Sequence, residues 1–255
     1  MSRAEASRLA ALRRRRGRME SGLFLAEGVR VVEDLLASAI VPRTALVAPS
    51  LEDTPRGAEL AAKLRAEVRT LDVSRHELAR VAGTDSPQGV VVAAEIPRHS
   101  LGDLRLRERD LAVVLDAVQD PGNFGSIVRS ADAFGAGLVC TLPGTVDPWN
   151  PKAVRAAAGS SLRVPIVDGA PDEVLGFLRD AGFHVLGAAS DGQPVDAVTG
   201  ASRRAVVLGN EGAGLGDPVR SRLDGLVAVP IRGAADSLNV GVAAGILLYL
   251  LSREL

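Results

Sequence analysis

The sequence predicts an α/β fold: a mostly parallel sheet with helices on both faces, preceded by a small α/β domain. Three observations carry this. Near-continuous Val/Ile/Leu runs such as "LAVVLDAV" and "AVVLGN" recur through the second half and alternate with segments of helical periodicity, the pattern of strands covered on both faces. A polar, Arg-rich break at residues 98–108 divides the chain into two halves that each restart the alternation. At 255 residues and 47% hydrophobic the chain is long and apolar enough to bury such a core.

In the first half, "VRVVEDLLASAI" is apolar at helical spacing, "TALVAP" is a buried-strand run and "GAELAAKLRAEV" is helical. "VRTLDV" is a strand, "SRHELARVAG" a capped helix ending at Gly83, and "GVVVAAEI" a further strand. These place a small α/β domain in residues 1–97. The stretch "PRHSLGDLRLRERD", with four Arg among its acids, then serves as a linker over 98–108. Residues 109–255 follow as strand "LAVVLDAV", strand "GLVCTL", helix "NPKAVRAAAGSSL", strand "VPIVDG", helix "PDEVLGFLRDAG" and strand "HVLGAAS". Strand "AVVLGN", a glycine-rich loop, strand "GLVAVPI" and a long helix "DSLNVGVAAGILLYLLSREL" complete the chain.

Composition excludes several classes. No run of about 18 uncharged apolar residues exists, which argues against a membrane span. The opening "MSRAEASRLAALRRRRGR" lacks the apolar core and cleavage site of a secretory signal. One cysteine, Cys140, and three scattered histidines rule out an internal disulfide and argue against a Cys/His metal site. A cytoplasmic protein without metal is the expectation. The net charge of −1 hides an asymmetry: residues 1–18 hold seven Arg and a single acid, Glu5. Arg13, Arg14, Arg15, Arg16 and Arg18 are thus candidates for nucleic-acid phosphates; the alternative is a solvated amphipathic helix.

Ligands of parallel α/β sheets bind beyond the carboxyl ends of the strands, where three loops carry the unusual polar residues. The first is "DPGNFGSIVRSADAFGAG", residues 120–137. It has neither the Walker Gly-Lys-Ser/Thr nor G-x-G-x-x-G, so it is not a phosphate loop. Asn123 can cap the helix that follows, but capping does not explain Arg129 six residues later, which must pair, reach solvent or meet an anion. The second loop, "VVLGNEGAGLGD", sets Glu211 among glycines that allow close backbone approach. Glu211 either orients a cation such as Arg129 or favours a helix dipole. In the third, "VPIRGAADSLNVGVAAGILLYLL", Asp236 or Ser237 caps the last helix with Asn239 in its first turn, and the small residues from Val240 to Gly245 imply close packing.

Together these three segments, in this order, resemble the motifs of the SpoU/TrmH branch of the SPOUT RNA methyltransferases. "FLAEGVRVVEDLL" and "TDSPQGVVVAAEIP" add a weaker likeness to that family's accessory substrate-binding domain. The resemblance spans roughly residues 20–255 and implies a ribose 2′-O-methyltransferase that uses S-adenosylmethionine (AdoMet), requires no metal, and acts on a structured RNA. Large-subunit ribosomal RNA is the expected target and transfer RNA the alternative. It further implies a deep C-terminal trefoil knot and a homodimer built on the first-motif helix and the last helix, where the small residues 240–245 would pack.

On the same resemblance, Gly209, Val229, Ile231 and Leu238 contact the cofactor, with Leu208, Asn210 and Gly212 alongside and Thr141 and Ala188 nearby. Arg129 binds a phosphate and helps to activate the ribose hydroxyl, in its own site or that of the partner subunit. Asn123, Glu211, Ser237 and Asn239 position it, the ribose and the cofactor. One departure stands out: Gly241 follows "SLNV" where many relatives have Ser. A non-catalytic RNA-binding protein on the same fold and an ordinary doubly wound nucleotide enzyme are the rival readings; AdoMet binding without NAD or ATP affinity separates the second.

Overall fold

The computed structural model describes residues 1–84 and 86–253. Asp85 of "TDSPQG", and Glu254 and Leu255, to which the final helix was expected to run, lie outside the described residues. The elements in chain order are α1 (Arg3–Ala11), α2 (Arg15–Ser21), β1 (Leu23–Glu27), α3 (Val29–Ala37), β2 (Pro42–Val47), α4 (Pro55–Glu67), β3 (Thr70–Asp72), α5 (Arg75–Val81) and β4 (Val90–Glu95). There follow β5 (Asp110–Leu115), α6 (Pro121–Ala133), β6 (Leu138–Thr141), α7 (Pro151–Ala156), β7 (Ile166–Asp168), α8 (Pro171–Asp180), β8 (His184–Pro194), β9 (Arg203–Leu208), α9 (Asp217–Arg220), β10 (Gly225–Ala228) and α10 (Val240–Ser252).

Residues 1–97 and 147–162 form one compact unit. Its sheet runs β1-β4-β2-β3; β4 is antiparallel to both neighbours and β2 is parallel to β3. Period-two alternation divides the strand side chains between two cores. Phe24, Ala45, Val47 and Val92 pack with Leu35 of α3 and Leu64 of α4. Leu25, Leu46 and Val91 pack on the other side with Leu9, Leu12 and Leu78. Trp149, Val154 and Leu162 belong to the first of these cores, and the Trp149 ring lies 4.7 Å from that of Phe24. The segment read from sequence as part of the second domain therefore completes the core of the first unit. Strand β1, within "FLAEGVRVVEDLL", is an addition to the elements expected from sequence.

The arginine run is helical. Ser2 caps α1, accepting from the Glu5 N–H, and α2 ends on Gly22 at φ 68°, a left-handed cap that glycine adopts without strain. Arg13, Arg14, Arg15 and Arg16 are exposed, with Arg16 paired to Glu20. Arg18 is different: it is buried, donates from Nε to Asp147 at 2.9 Å and from Nη1 to the Leu12 carbonyl at 2.8 Å. It locks the α1–α2 turn to the 147–162 segment and is not available to RNA, a correction that a charge count cannot foresee.

Residues 98–146 and 163–255 form the second unit. Its sheet runs β10-β8-β9-β5-β6-β7 with every pairing parallel, as the apolar runs predict. One face holds Ala112, Val114, Cys140, Val185 and Val207 against Val174, Leu175 and Leu178 of α8. The expected linker packs here: Leu101 is buried and Leu104 and Leu106 lie against the same core.

Helices α6 and α10 run side by side. A Cβ on Gly241 would fall on Ser126 Oγ, one on Gly245 would meet Ser130 Oγ at 3.5 Å, and the Phe134 and Tyr249 rings are 5.6 Å apart. Each pair is 115 residues apart in sequence, so the helices are parallel and their N-termini lie at the same end. The small residues of α10 thus serve packing within the chain, and the glycine at 241 accommodates the Ser126 hydroxyl. The exposed apolar side chains of α10 are Val242 and Tyr249.

Candidate active site

Strands β5 and β9 are neighbours at the centre of the sheet, and the loops at their carboxyl ends meet. Asp120, not Asn123, caps α6: its Oδ1 accepts from the Gly122 and Asn123 N–H groups at 2.8 and 2.9 Å. Pro121 fills the first helical position, where its missing N–H costs nothing. Asn123 is thereby released for another task. From the β9 loop, Glu211 accepts from the Gln119 and Asp120 N–H groups at 3.1 and 3.0 Å and from Asn123 Nδ2 at 3.0 Å. Its partners are the α6 N-terminus and an amide, not Arg129.

The chain of bonds continues. Asn239 Nδ2 donates to Asn123 Oδ1 at 3.0 Å, and Asn239 Oδ1 accepts from the Gly241 and Val242 N–H groups at 2.9 and 3.3 Å. Asn239, rather than Asp236 or Ser237, is therefore the cap of α10. The direction of the chain is determined at its ends. Helix N–H groups require an oxygen from Asn239, which leaves its amide nitrogen for Asn123, whose own nitrogen is then left for the carboxylate. Burial raises the Glu211 pKa, but the hydrogen bonds from Asn123 and the main chain outweigh it and hold the carboxyl below its ordinary value.

Asn210 fixes the glycine loop. Its Nδ2 donates to the Ala117 carbonyl at 2.9 Å and its Oδ1 accepts from Gly212 and Ala213 N–H at 3.0 Å each. Ala117 sits at φ 57°, a conformation unfavourable to a residue with a Cβ and of the kind that concentrates at functional sites. Gly209 admits no side chain, because a Cβ there would overlap the backbone of Gly214 and Leu215.

Beside this network lies a cavity of about 670 Å³. The looped-out part of β8 contributes Ala188, Ser190 and Gly192, and the end of β9 contributes Leu208, Gly209, Asn210 and Glu211. The segment after β10 contributes Val229, Ile231, Asp236, Ser237, Leu238 and Asn239. Among the described residues, Glu211 and Asp236 are its charged ones and no Lys or Arg lines it. Seven of the nine expected cofactor residues are here. Thr141 is not: it is buried and its hydroxyl donates to Asp168. Gly212 is not either, its N–H being committed to Asn210. Ser237 lines the cavity without capping a helix. Asp236, Ser190 and Gly192 were missed as lining residues, since nothing local in sequence marks a strand that loops out.

Arg129, on α6, is exposed, and no hydrogen bond or ion pair holds it among the described residues. Cys140 is buried, and burial pushes its thiol up to about 12, so it is no nucleophile at neutral pH. No group of three or more His, Cys, Asp or Glu suited to a metal occurs among the described residues.

The model of the SpoU rRNA methylase family matches residues 110–249, and that of an MRM3-like substrate-binding domain matches residues 6–92. The chain belongs to the SpoU rRNA methylase family. Among its relatives, RlmP of Bacillus subtilis, a 23S rRNA (guanosine(2553)-2′-O)-methyltransferase, is 33% identical over 93% of this chain and 92% of its own. The 23S rRNA (uridine(2479)-2′-O)-methyltransferase of Streptomyces viridochromogenes is 32% identical over 96% and 88%. The crystal structure of the SpoU methyltransferase AviRb from S. viridochromogenes with AdoMet superposes with a TM-score of 0.90, at 31% identity over 99% of this chain and 98% of that one. An AdoMet-bound rRNA methyltransferase from Sinorhizobium meliloti gives 0.88, at 31% identity over 98% and 95%.

Proposed function

We propose that this protein is an AdoMet-dependent methyltransferase that modifies a ribose 2′-hydroxyl of large-subunit ribosomal RNA. The observation that carries this reading is the acidic cavity at the carboxyl ends of β8, β9 and β10, held by a bond chain joining all three motifs. Its residues fit the cofactor. Two carboxylates and no cation suit a sulfonium and an ammonium and oppose the phosphates of NAD or ATP. Gly209 and the segment 229–238 offer backbone at close range to a flat base. Ala188, Leu208, Gly209, Asn210, Val229, Ile231 and Leu238 are the proposed contacts. Thr141 and Gly212 drop out.

When bound, AdoMet supplies a methyl group on a sulfonium, and no metal is needed. Arg129 engages a phosphate beside the target ribose and stabilises the 2′-oxygen as its proton passes to solvent; a guanidinium of pKa above about 12 acts by charge rather than as a base. Glu211, Asn123 and Asn239 hold the two helix N-termini in place, and Ser237 faces the cavity. Such positioning supplies much of the rate of an in-line displacement.

The same reading places a trefoil knot in the three loops around the cavity, in keeping with the family. It makes the protein a homodimer through α6 and α10, for which the exposed Val242 and Tyr249 are the support. A substrate-binding domain of residues 1–97 with 147–162, a methyltransferase domain of residues 98–146 with 163–255, and a cytoplasmic site of action, where ribosomal RNA is found, complete it. No helix among the described residues is long and apolar enough to cross a membrane. Mapping 2′-O-methylation in total RNA with and without the gene tests the function: one large-subunit ribose should lose its mark, whereas loss confined to a transfer RNA overturns the substrate.

A further inference from the structure

The cations of the methyltransferase segment are not equivalent. Across residues 110–249, Arg163, Arg203, Arg220 and Arg222 are held by Asp132, main-chain carbonyls, Asp191 and Asp172 respectively. Arg155 pairs with Glu27 and Arg179 donates to the Arg222 carbonyl. Lys152 and Arg204 also have partners. Among the described residues of that span, two cations have none: Arg129 and Arg232.

Arg232 stands on the segment between β10 and α10. The residues on either side of it in sequence, Val229 to Ile231 and Asp236 to Val240, line the cavity, but Arg232 does not. From residue 230 to 239 the segment is exposed, and among its described residues no main-chain hydrogen bond anchors 230–238. The cavity presents Glu211 and Asp236, which repel a polyanion. An RNA strand delivering its ribose here needs positive charge just outside the lining.

We infer that Arg232 is an RNA-contact residue that holds a phosphodiester beside the cavity mouth, a second anchor in addition to Arg129. This rests on the methyltransferase reading. One segment would then present a carboxylate, Asp236, to the cationic cofactor and a guanidinium to the RNA. A charge-assisted contact of this kind positions the strand without reading its bases, and each phosphate so neutralised contributes about one to the slope of log affinity against log salt.

The test uses the full-length protein, AdoMet, and an unmodified 23S rRNA transcript, with wild type, Arg232→Ala and Arg232→Lys. Arg232→Ala should raise the KM for RNA about tenfold and lower the salt slope by about one, leaving the AdoMet Kd at the wild-type value; Arg232→Lys should restore most of both. Wild-type KM and salt slope in Arg232→Ala overturn the assignment. A weakened AdoMet Kd also overturns it, by placing Arg232 on the cofactor carboxylate. A wild-type protein that binds AdoMet yet transfers no methyl group to the transcript sinks the reading beneath it instead, and the two failures are thereby distinct.

Discussion

Changing one atom, by Asn239→Asp, tests whether the direction of the bond chain matters. The side chain keeps its shape, and its carboxylate still accepts from the Gly241 and Val242 N–H groups, with a gain of about 0.3–1 kcal/mol from a negative charge at a helix N-terminus. The cost falls on the other side. The donor that meets Asn123 Oδ1 at 3.0 Å becomes an acceptor, so two oxygens face each other. If Asn123 flips to relieve this, its oxygen turns toward Glu211 and the conflict moves one step along. One lost hydrogen bond and an unrelieved acceptor pair cost about 2–3 kcal/mol, screened because the site is partly exposed. The net is about 1–2 kcal/mol of folding stability, roughly 2–8 °C in Tm for a chain of this length. A thermal melt reads it directly. The double variant Asn123→Ala/Asn239→Asp removes the oxygen that would face the new carboxylate and should lose less than the two single changes summed, a coupling of about 0.5 kcal/mol or more. An unchanged Tm in Asn239→Asp, or strict additivity in the cycle, would refute the directional network.

Four further outcomes follow. Arg129→Ala should abolish methyl transfer with the AdoMet Kd preserved; near-normal turnover removes its proposed role. Arg18→Ala removes a buried guanidinium, taking its bonds from the half-buried Asp147 carboxylate and the Leu12 carbonyl, and should cost about 2–3 kcal/mol, roughly 5–10 °C in Tm, whereas Arg14→Ala should leave Tm unchanged and weaken only salt-sensitive RNA binding. Because the folded Glu211 carboxyl ionises below its ordinary 4.5, its stabilisation is present above that value and is lost as pH falls through the folded pKa. AdoMet affinity should hold from neutrality down to that range and then fall, with a shallower acid limb in Glu211→Gln, where Asp236 still lines the cavity. Gly241→Ser should place its Cβ on Ser126 Oγ and cost about 1–3 kcal/mol by overpacking. Adding Ser126→Ala should recover most but not all of it, since the remaining Ser126 Cβ is at 3.5 Å while the capping Asn239 Oδ1 stays at 3.2 Å.

Strand and helix runs were legible because burial on both sheet faces writes itself as continuous apolar sequence, and nearly all the predicted elements of residues 29–252 stand within a few residues of their expected places. The three motif loops were legible too, since polar residues at strand ends in an apolar half are conspicuous. Capping was not. Asn123 and Asp236 or Ser237 are sound caps by residue type, but the dihedral that starts a helix at Asp120 and at Asn239 depends on tertiary partners, Glu211 in one case and Asn123 in the other. Residues 147–162 were misplaced for a similar reason. Their helical pattern says that one face is buried, not that Trp149 meets Phe24 and Asp147 meets Arg18.

The charge balance illustrates the same limit with a functional consequence. A chain of net charge −1 has no evident claim on a polyanion, and the arginine-rich start suggests that five adjacent cations supply it. Pairing redistributes that picture. Arg18 is consumed by Asp147, the exposed Arg16 makes only a surface pair with Glu20, and Arg14 and Arg15 keep no partner among the described residues. In the methyltransferase segment only Arg129 and Arg232 stay uncommitted among the described residues. RNA affinity in such a protein depends on which guanidiniums lack an internal carboxylate rather than on their total. Its salt dependence should therefore count a few arginines near the cavity and on the first two helices, far fewer than the 28 in the sequence.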